Sequence, residues 1–268
     1  MLNIQPKFKS SIFTNKKMTI FIPLDSLDAI AKKLNIGPYA DKEESSKIIS
    51  QAFELNTVYA DVEFEVQAPR DRINKKLYSF DKSLARLQKA DFERHPRPLE
   101  AFTLITDGLE GKLSGVQKDI CNDMLELGSY GEWLSLAFER NNDILTCYLD
   151  PEGLIWNSKS SEYVKDDFKF AEKKEFNIAG KPYQQWIELE TFSNDFVQYI
   201  YGHNFKDLPI EMREGNKRAQ VYLPPNCITK PVARGGYGNG YGFSSGSYWA
   251  SRGVRAQKNF SGSVGGRK

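Results

Sequence analysis

Residues 132–156 constrain the fold more tightly than any other stretch of this chain. Glu132-Trp-Leu-Ser-Leu-Ala-Phe-Glu-Arg140 is a β-rich run that ends at Asn141-Asn142-Asp143, and Ile144-Leu-Thr-Cys-Tyr-Leu149 follows at once. Two such runs across a short polar link read as a β-hairpin. Asp150-Pro151-Glu152-Gly153 is then a β-turn, with proline second and glycine fourth. Leu154-Ile155-Trp156 opens a third strand, so the three together predict an antiparallel meander.

The flanks add further strands and helices. In 57–66, Val58, Ala60, Val62, Phe64 and Val66 alternate with Tyr59, Asp61, Glu63 and Glu65, which predicts a half-exposed strand. Residues 184–192 and 218–223 also read as strands, as do 18–24. Helices are expected at 25–37, at 41–55, and from a Ser114/Gln117 capping box to Gly128, with Val116, Ile120, Met124 and Leu127 on one face. A short helix is expected over 193–201. Strands and helices mix without a βαβ rhythm, so the fold class is α+β: an antiparallel sheet with packed helices. An OB-type barrel is one closed form such a sheet can take.

Composition changes past residues 223–231 (Leu-Pro-Pro-Asn-Cys-Ile-Thr-Lys-Pro). From Ala233 onward, 36 residues hold ten glycines, six aromatics and no acid. Such a stretch cannot bury enough apolar surface to order itself. The expected division is therefore an acidic body, 1–228, and a flexible basic tail, 229–268.

Charge sharpens this division. The net charge is only +2, yet residues 1–24 carry +4 and residues 233–268 carry +6, which leaves −8 between them. Inside the acidic body, residues 68–98 stand out at +5, with Arg70, Arg72, Lys75, Lys76, Lys82, Arg86, Lys89, Arg94 and Arg97 against four acids. A helix capped by Asp81 would set Lys82, Arg86 and Lys89 on one face and Leu84 and Leu87 on the other. That is a cationic stripe along which a polyanion could lie, with Tyr78 available for stacking.

The signatures of common chemistry are missing. His95 and His203 have no metal-pair spacing, and the chain has no C-x-x-C, phosphate loop, dinucleotide fingerprint or G-x-S-x-G. Asp61, Glu63 and Glu65 share a strand face, and Asp107, Glu110 and Lys112 resemble part of a metal-dependent nuclease site. A solvated strand face and a polar turn account for them more simply. No cofactor, metal or catalytic residue is expected. The three cysteines, Cys121, Cys147 and Cys227, are scattered and odd in number, as befits a reducing, cytoplasmic setting. Neither a secretory signal nor a membrane span is expected.

Arg234-Gly-Gly236, Arg252-Gly253 and the interleaved Tyr237, Tyr241, Phe243, Tyr248 and Trp249 carry a resemblance. The segment resembles the Arg-Gly-Gly and glycine-aromatic tails of RNA-binding proteins such as the hnRNPs, over about 13% of the chain. The resemblance is compositional and implies a mode of binding. Arginines, with Arg255 and Lys258 added, would pair with phosphates, and aromatic rings would stack on unpaired bases. The expectation is a non-enzymatic protein that binds single-stranded DNA or RNA through the basic patch and the tail. Two alternatives remain open. One is a virion- or filament-type assembly protein, its basic arm docked on acidic neighbouring copies in a homo-oligomer. The other is a nucleic-acid enzyme with a metal at one acidic cluster.

Overall fold

A computed structural model describes residues 62–68, 77–126, 131–183, 185–214, 219–223, 228–235 and 240–256, all within one compact unit, Val58–Gln257. The strand and helices expected within 18–55 lie outside the described residues.

The hairpin forms as the two β-rich runs predict. β2 (Glu132–Asn141) and β3 (Ile144–Leu149) pair antiparallel from Leu136↔Leu149 to Asn141↔Ile144. Asn142 turns the chain at φ 51°, a left-handed conformation that asparagine tolerates better than most side chains. The third strand departs from the meander. β4 (Glu152–Asn157) leaves the sheet and pairs with β5 (Glu162–Lys169) in a separate hairpin, while β6 (Glu172–Asn177) takes the outer edge of β3. Asp150, itself left-handed at φ 49° and gripped by Arg97, redirects the chain at this corner.

Seven strands make the main sheet, in the order β6-β3-β2-β9-β10-β8-β7, curled into a half-barrel. Its remaining members are β7 (Trp186–Glu188), β8 (Gln220–Tyr222), β9 (Lys230–Arg234) and β10 (Phe243–Ser244). Among the described strands only β8 and β10 pair in parallel. A two-stranded sheet joins β1 (Val62–Phe64) to β11 (Val254–Ala256).

The helices follow from local sequence to different degrees. α1 (Phe80–Lys89) starts after Ser79, two residues before the expected cap at Asp81, and buries Phe80, Ser83 and Leu87. α2 (Pro98–Leu109) has proline at its first position, where the missing N–H costs nothing. α3 (Gly115–Glu126) buries Ile120, Cys121 and Met124 but leaves Val116 exposed, and Leu127 and Gly128 lie outside the described residues. α4 (Asn194–Tyr201) is capped by the Ser193 hydroxyl, which accepts the Phe196 N–H, and ends at left-handed Gly202. α5 (Ile210–Arg213) is a single turn.

Strand alternation divides the core between the two sheet faces. Leu134, Leu136 and Phe138 of β2, Leu145 and Cys147 of β3 and Val232 of β9 pack on one side with residues from α2, α3 and α4. Trp133, Ala137, Tyr148 and Ala233 point to the other, where Phe80 of α1 and Leu154 of β4 cover them. Each large apolar side chain fully buried this way contributes roughly 2 kcal/mol.

The expectation of a flexible tail from residue 229 is corrected for 228–235 and 240–256. β9 lies in the middle of the sheet, against β2 on one side and β10 on the other. No domain boundary therefore falls at 228/229. The glycines serve close packing here. A Cβ on Gly235, where φ is +127°, would stand 2.4 Å from the Gly131 Cα, and one on Gly253 would stand 2.4 Å from the Phe92 ring. Composition signals flexibility only when nothing packs against the glycines. Residues 257–268 lie outside the described residues.

Candidate functional site

The cationic stripe is largely neutralised. Lys82 and Lys89 are exposed on α1 as expected, but Arg86 turns inward. Its guanidinium takes both oxygens of Glu65, at 3.0 and 2.5 Å, and its Nε donates to Ser251 Oγ at 2.9 Å. Arg94 forks onto Glu100 at 2.6 and 2.8 Å, and Arg97 pairs with Asp150. Burial opposes ionisation of Asp150, yet the Arg97 and Arg94 guanidiniums outweigh it and hold the carboxyl below its ordinary value. The stripe is thus corrected to two exposed lysines, because Glu65, just after β1, pairs with its arginine. Arg70, Arg72, Lys75 and Lys76 lie outside the described residues and precede Tyr78 directly in the chain.

The arginines of the Arg-Gly motifs are fully buried, which corrects their expected role as exposed phosphate contacts. Glu132, at the start of β2, stands opposite Arg234 of β9 in the ladder and bridges Ala250 on its other side. Its carboxylate takes Arg252 Nε at 3.1 Å and Arg234 Nη2 at 3.2 Å. Arg252 also reaches Asp123 of α3 at 2.5 Å and the carbonyls of Glu65 and Val66 at 2.5 and 2.9 Å. Arg234 adds the carbonyls of Gly240 and Met124, at 3.0 and 2.9 Å. Burial works against the charge of Glu132, but the two arginines more than compensate and lower its pKa. Burial also dominates at Arg234, whose pKa falls, whereas Arg252, with two carboxylates, is raised. Arg255 pairs with Glu63 and Asp91. The acidic partners of Arg234, Arg252 and Arg255 are therefore carboxylates of the same chain.

The expected aromatic residues divide. Phe243 is buried in the core against Phe102, and Tyr241 is buried with its carbonyl accepting the Tyr201 hydroxyl. Tyr237 and Lys258 lie outside the described residues. Tyr248 and Trp249 instead join residues of the β4–β5 hairpin in a ledge of rings. Tyr248, 44% exposed, meets Trp156 at 6.0 Å, and Trp156 meets Tyr163 at 5.2 Å. Beneath them the buried Trp133 ring stands edge-on to Tyr163 at 6.1 Å and to Trp249 at 6.4 Å. Half-buried Tyr78 exchanges two backbone hydrogen bonds with Trp249, at 3.0 Å each. The Tyr163 hydroxyl accepts the Phe80 N–H at 2.9 Å and donates to the Ser247 carbonyl at 3.2 Å. The Asp81 carboxylate takes the Trp156 N–H at 3.4 Å, which sets the first turn of α1, and Lys82 with it, beside the rings. Trp156 and Tyr163 are not among the expected site residues. Their signal in the sequence is an aromatic residue on each arm of a hairpin, in cross-strand register.

The remaining candidate groups are paired or buried. Glu63 and Glu65 pair with arginines, as above, while Asp61 lies outside the described residues. Lys112 sits 3.4 Å from Asp107 and pairs with Glu110 at the end of α2. His95 is buried against Phe80, its Nδ1 3.1 Å from the Arg252 carbonyl. Cys121 and Cys147 are buried free thiols, and burial raises both pKa values, that of Cys121 to about 11. Among the described residues no cluster of three or more His, Cys, Asp or Glu could hold a metal, and no helix is long and apolar enough to cross a membrane. No protein-family model, curated protein or solved structure matches the chain.

Proposed function

We propose that this protein binds single-stranded nucleic acid on the aromatic ledge formed by Trp156, Tyr163, Tyr248 and Trp249. The observation that carries the reading is the exposed Tyr248 ring next to Trp156, rooted in a packed scaffold and flanked by the first turn of α1, which bears Lys82. A preformed ring platform spares the cost of ordering a flexible arm, and each stacked base gains roughly 1–3 kcal/mol. Lys82 supplies charge for the phosphates beside the rings. The half-barrel is compatible with an OB-type binding surface, and the scattered cysteines suit a cytoplasmic setting. No chemical step is assigned to the site.

The test is the affinity of the full chain for a labelled oligothymidylate strand across a salt series, beside Tyr248→Ala and Trp156→Ala. Each variant should weaken binding about five- to a hundredfold, in keeping with the loss of one stacked base. A duplex of the same length should bind less well than the single strand. Unchanged affinity in both variants overturns the proposal. A concentration-dependent oligomer abolished by the same substitutions would put the assembly reading in its place.

A further inference from the structure

We infer that Glu132 is the positioning residue of the ledge: one buried carboxylate that holds both ends of the chain segment carrying Tyr248 and Trp249. The inference rests on the binding role proposed for that ledge. Its geometric part stands independently.

The segment in question runs from Arg234, the last residue of β9, through β10 to Arg252. Both guanidiniums converge on Glu132 in a fully buried setting, Arg234 Nη2 at 3.2 Å and Arg252 Nε at 3.1 Å. The backbone closes around the same point. The Trp133 N–H donates to the Ala250 carbonyl at 3.0 Å, and the Ala250 N–H donates to the Gly131 carbonyl at 3.2 Å. Successive β residues face opposite sides of a sheet. Glu132 therefore anchors the segment's ends on the helix side, while Trp133, the next residue, supports Tyr163 and Trp249 on the ledge side. The Trp133 indole N–H adds a hydrogen bond to the Tyr78 carbonyl at 2.8 Å.

Charge balance gives the arrangement its sensitivity. The cluster holds two cations, Arg234 and Arg252, against two anions, Glu132 and Asp123. Glu132→Gln keeps the shape and leaves one buried positive charge in excess, a state that folded proteins avoid by local opening. Arg234 is the weaker anchor, since Glu132 is its only salt-bridge partner among the described residues, whereas Arg252 also has Asp123. Glu132→Gln should therefore free the segment from the Arg234 end and let Tyr248 and Trp249 leave register with Trp156. Arg234→Met added to Glu132→Gln restores neutrality and should recover part of the loss.

The experiment compares the full chain with Glu132→Gln, Arg234→Met and the double variant, by amide hydrogen exchange and by oligothymidylate binding. In Glu132→Gln the amides of Trp249, Ala250 and Val254 should exchange at least about tenfold faster, while the β3–β6 ladder stays protected. Binding should weaken by about tenfold or more, and the double variant should lie closer to the parent than Glu132→Gln does in both measurements. Equal acceleration across the β3–β6 ladder, or a double variant no better than Glu132→Gln, overturns the inference. Faster exchange with unchanged binding also overturns it, provided Tyr248→Ala does weaken binding. If Tyr248→Ala is without effect, the ledge reading fails by itself, and the exchange data alone decide whether Glu132 holds the segment. Where Glu132→Gln does not fold, the double variant carries the test: charge balance requires it to fold, and its unfolding overturns the inference.

Discussion

Arg252 Nε donates to both carboxylate oxygens of Glu132 at 3.1 Å, with both side chains fully buried and 120 positions apart in the chain. A pair this deep is costly to break from one side, because the remaining charge cannot return to water. Arg252→Leu should lower the unfolding free energy by about 3–5 kcal/mol, read as a drop in the denaturant midpoint. Arg252→Lys keeps the charge but cannot reach Glu132, Asp123 and two carbonyls at once, so it should recover only a minor part of that loss.

A chain ended after residue 228 tests the place of β9. The central position of Lys230–Arg234 between β2 and β10 means that this truncation removes a middle strand of the sheet. The shortened chain should show no cooperative unfolding transition by circular dichroism. A flexible appendage would leave the transition intact.

Gly235→Ala probes packing at the turn out of β9. At φ +127° a side chain is strained, and its Cβ would meet the Gly131 backbone at 2.4 Å. The expected loss is about 3 kcal/mol, measurable as a lower melting temperature. Gly180→Ala, whose Cβ would meet nothing within 4 Å, serves as the comparison, with a smaller loss from φ +74° alone.

His95 makes stability depend on acid. Burial, foremost, and the nearby Arg86 and Arg94 charges push its pKa down to about 3, against the Arg252 carbonyl, which favours the charged form. The unfolded chain takes up the proton near pH 6.5 and the folded one does not, so this contribution is complete above pH 6.5 and lost as the pH falls toward 3. By pH 5 the loss is about 2 kcal/mol. In His95→Asn, denaturation at pH 7 and pH 5 should differ by about that much less than in the parent. The carboxylates Glu132 and Asp150, both with lowered pKa, act in the same direction at lower pH.

What can be read from the sequence is local. The β2–β3 hairpin and the Ser193 cap of α4 are written within a few residues of where they act. α2 gives no such signal, because nearly every residue from Pro98 to Asp107 is buried, so it shows no polar face and hence no period. A turn is expected over 150–153, but the structure bends at Asp150 and starts β4 at Glu152, and nothing in β4 says which strand it joins. The basic segment misleads because its partners, Glu132 and Asp123, lie more than a hundred residues upstream. The charge imbalance between that segment and the rest of the chain is the one available sign of their pairing. The rings of the ledge are half legible: Tyr248 and Trp249 stand out, though as part of a flexible tail, while Trp156 and Tyr163 are hidden in strands whose exposed side no local pattern reveals.

The pairing of β1 with β11, Val62 with Ala256, has a consequence for biogenesis. During translation β2 and β3 emerge well before their neighbour β9, and β1 waits for β11. Until β9 emerges, the sheet is incomplete, with an open edge on β2. Contacts this distant slow folding, so the nascent chain passes through a long interval in which a chaperone has more to shield than in the finished protein.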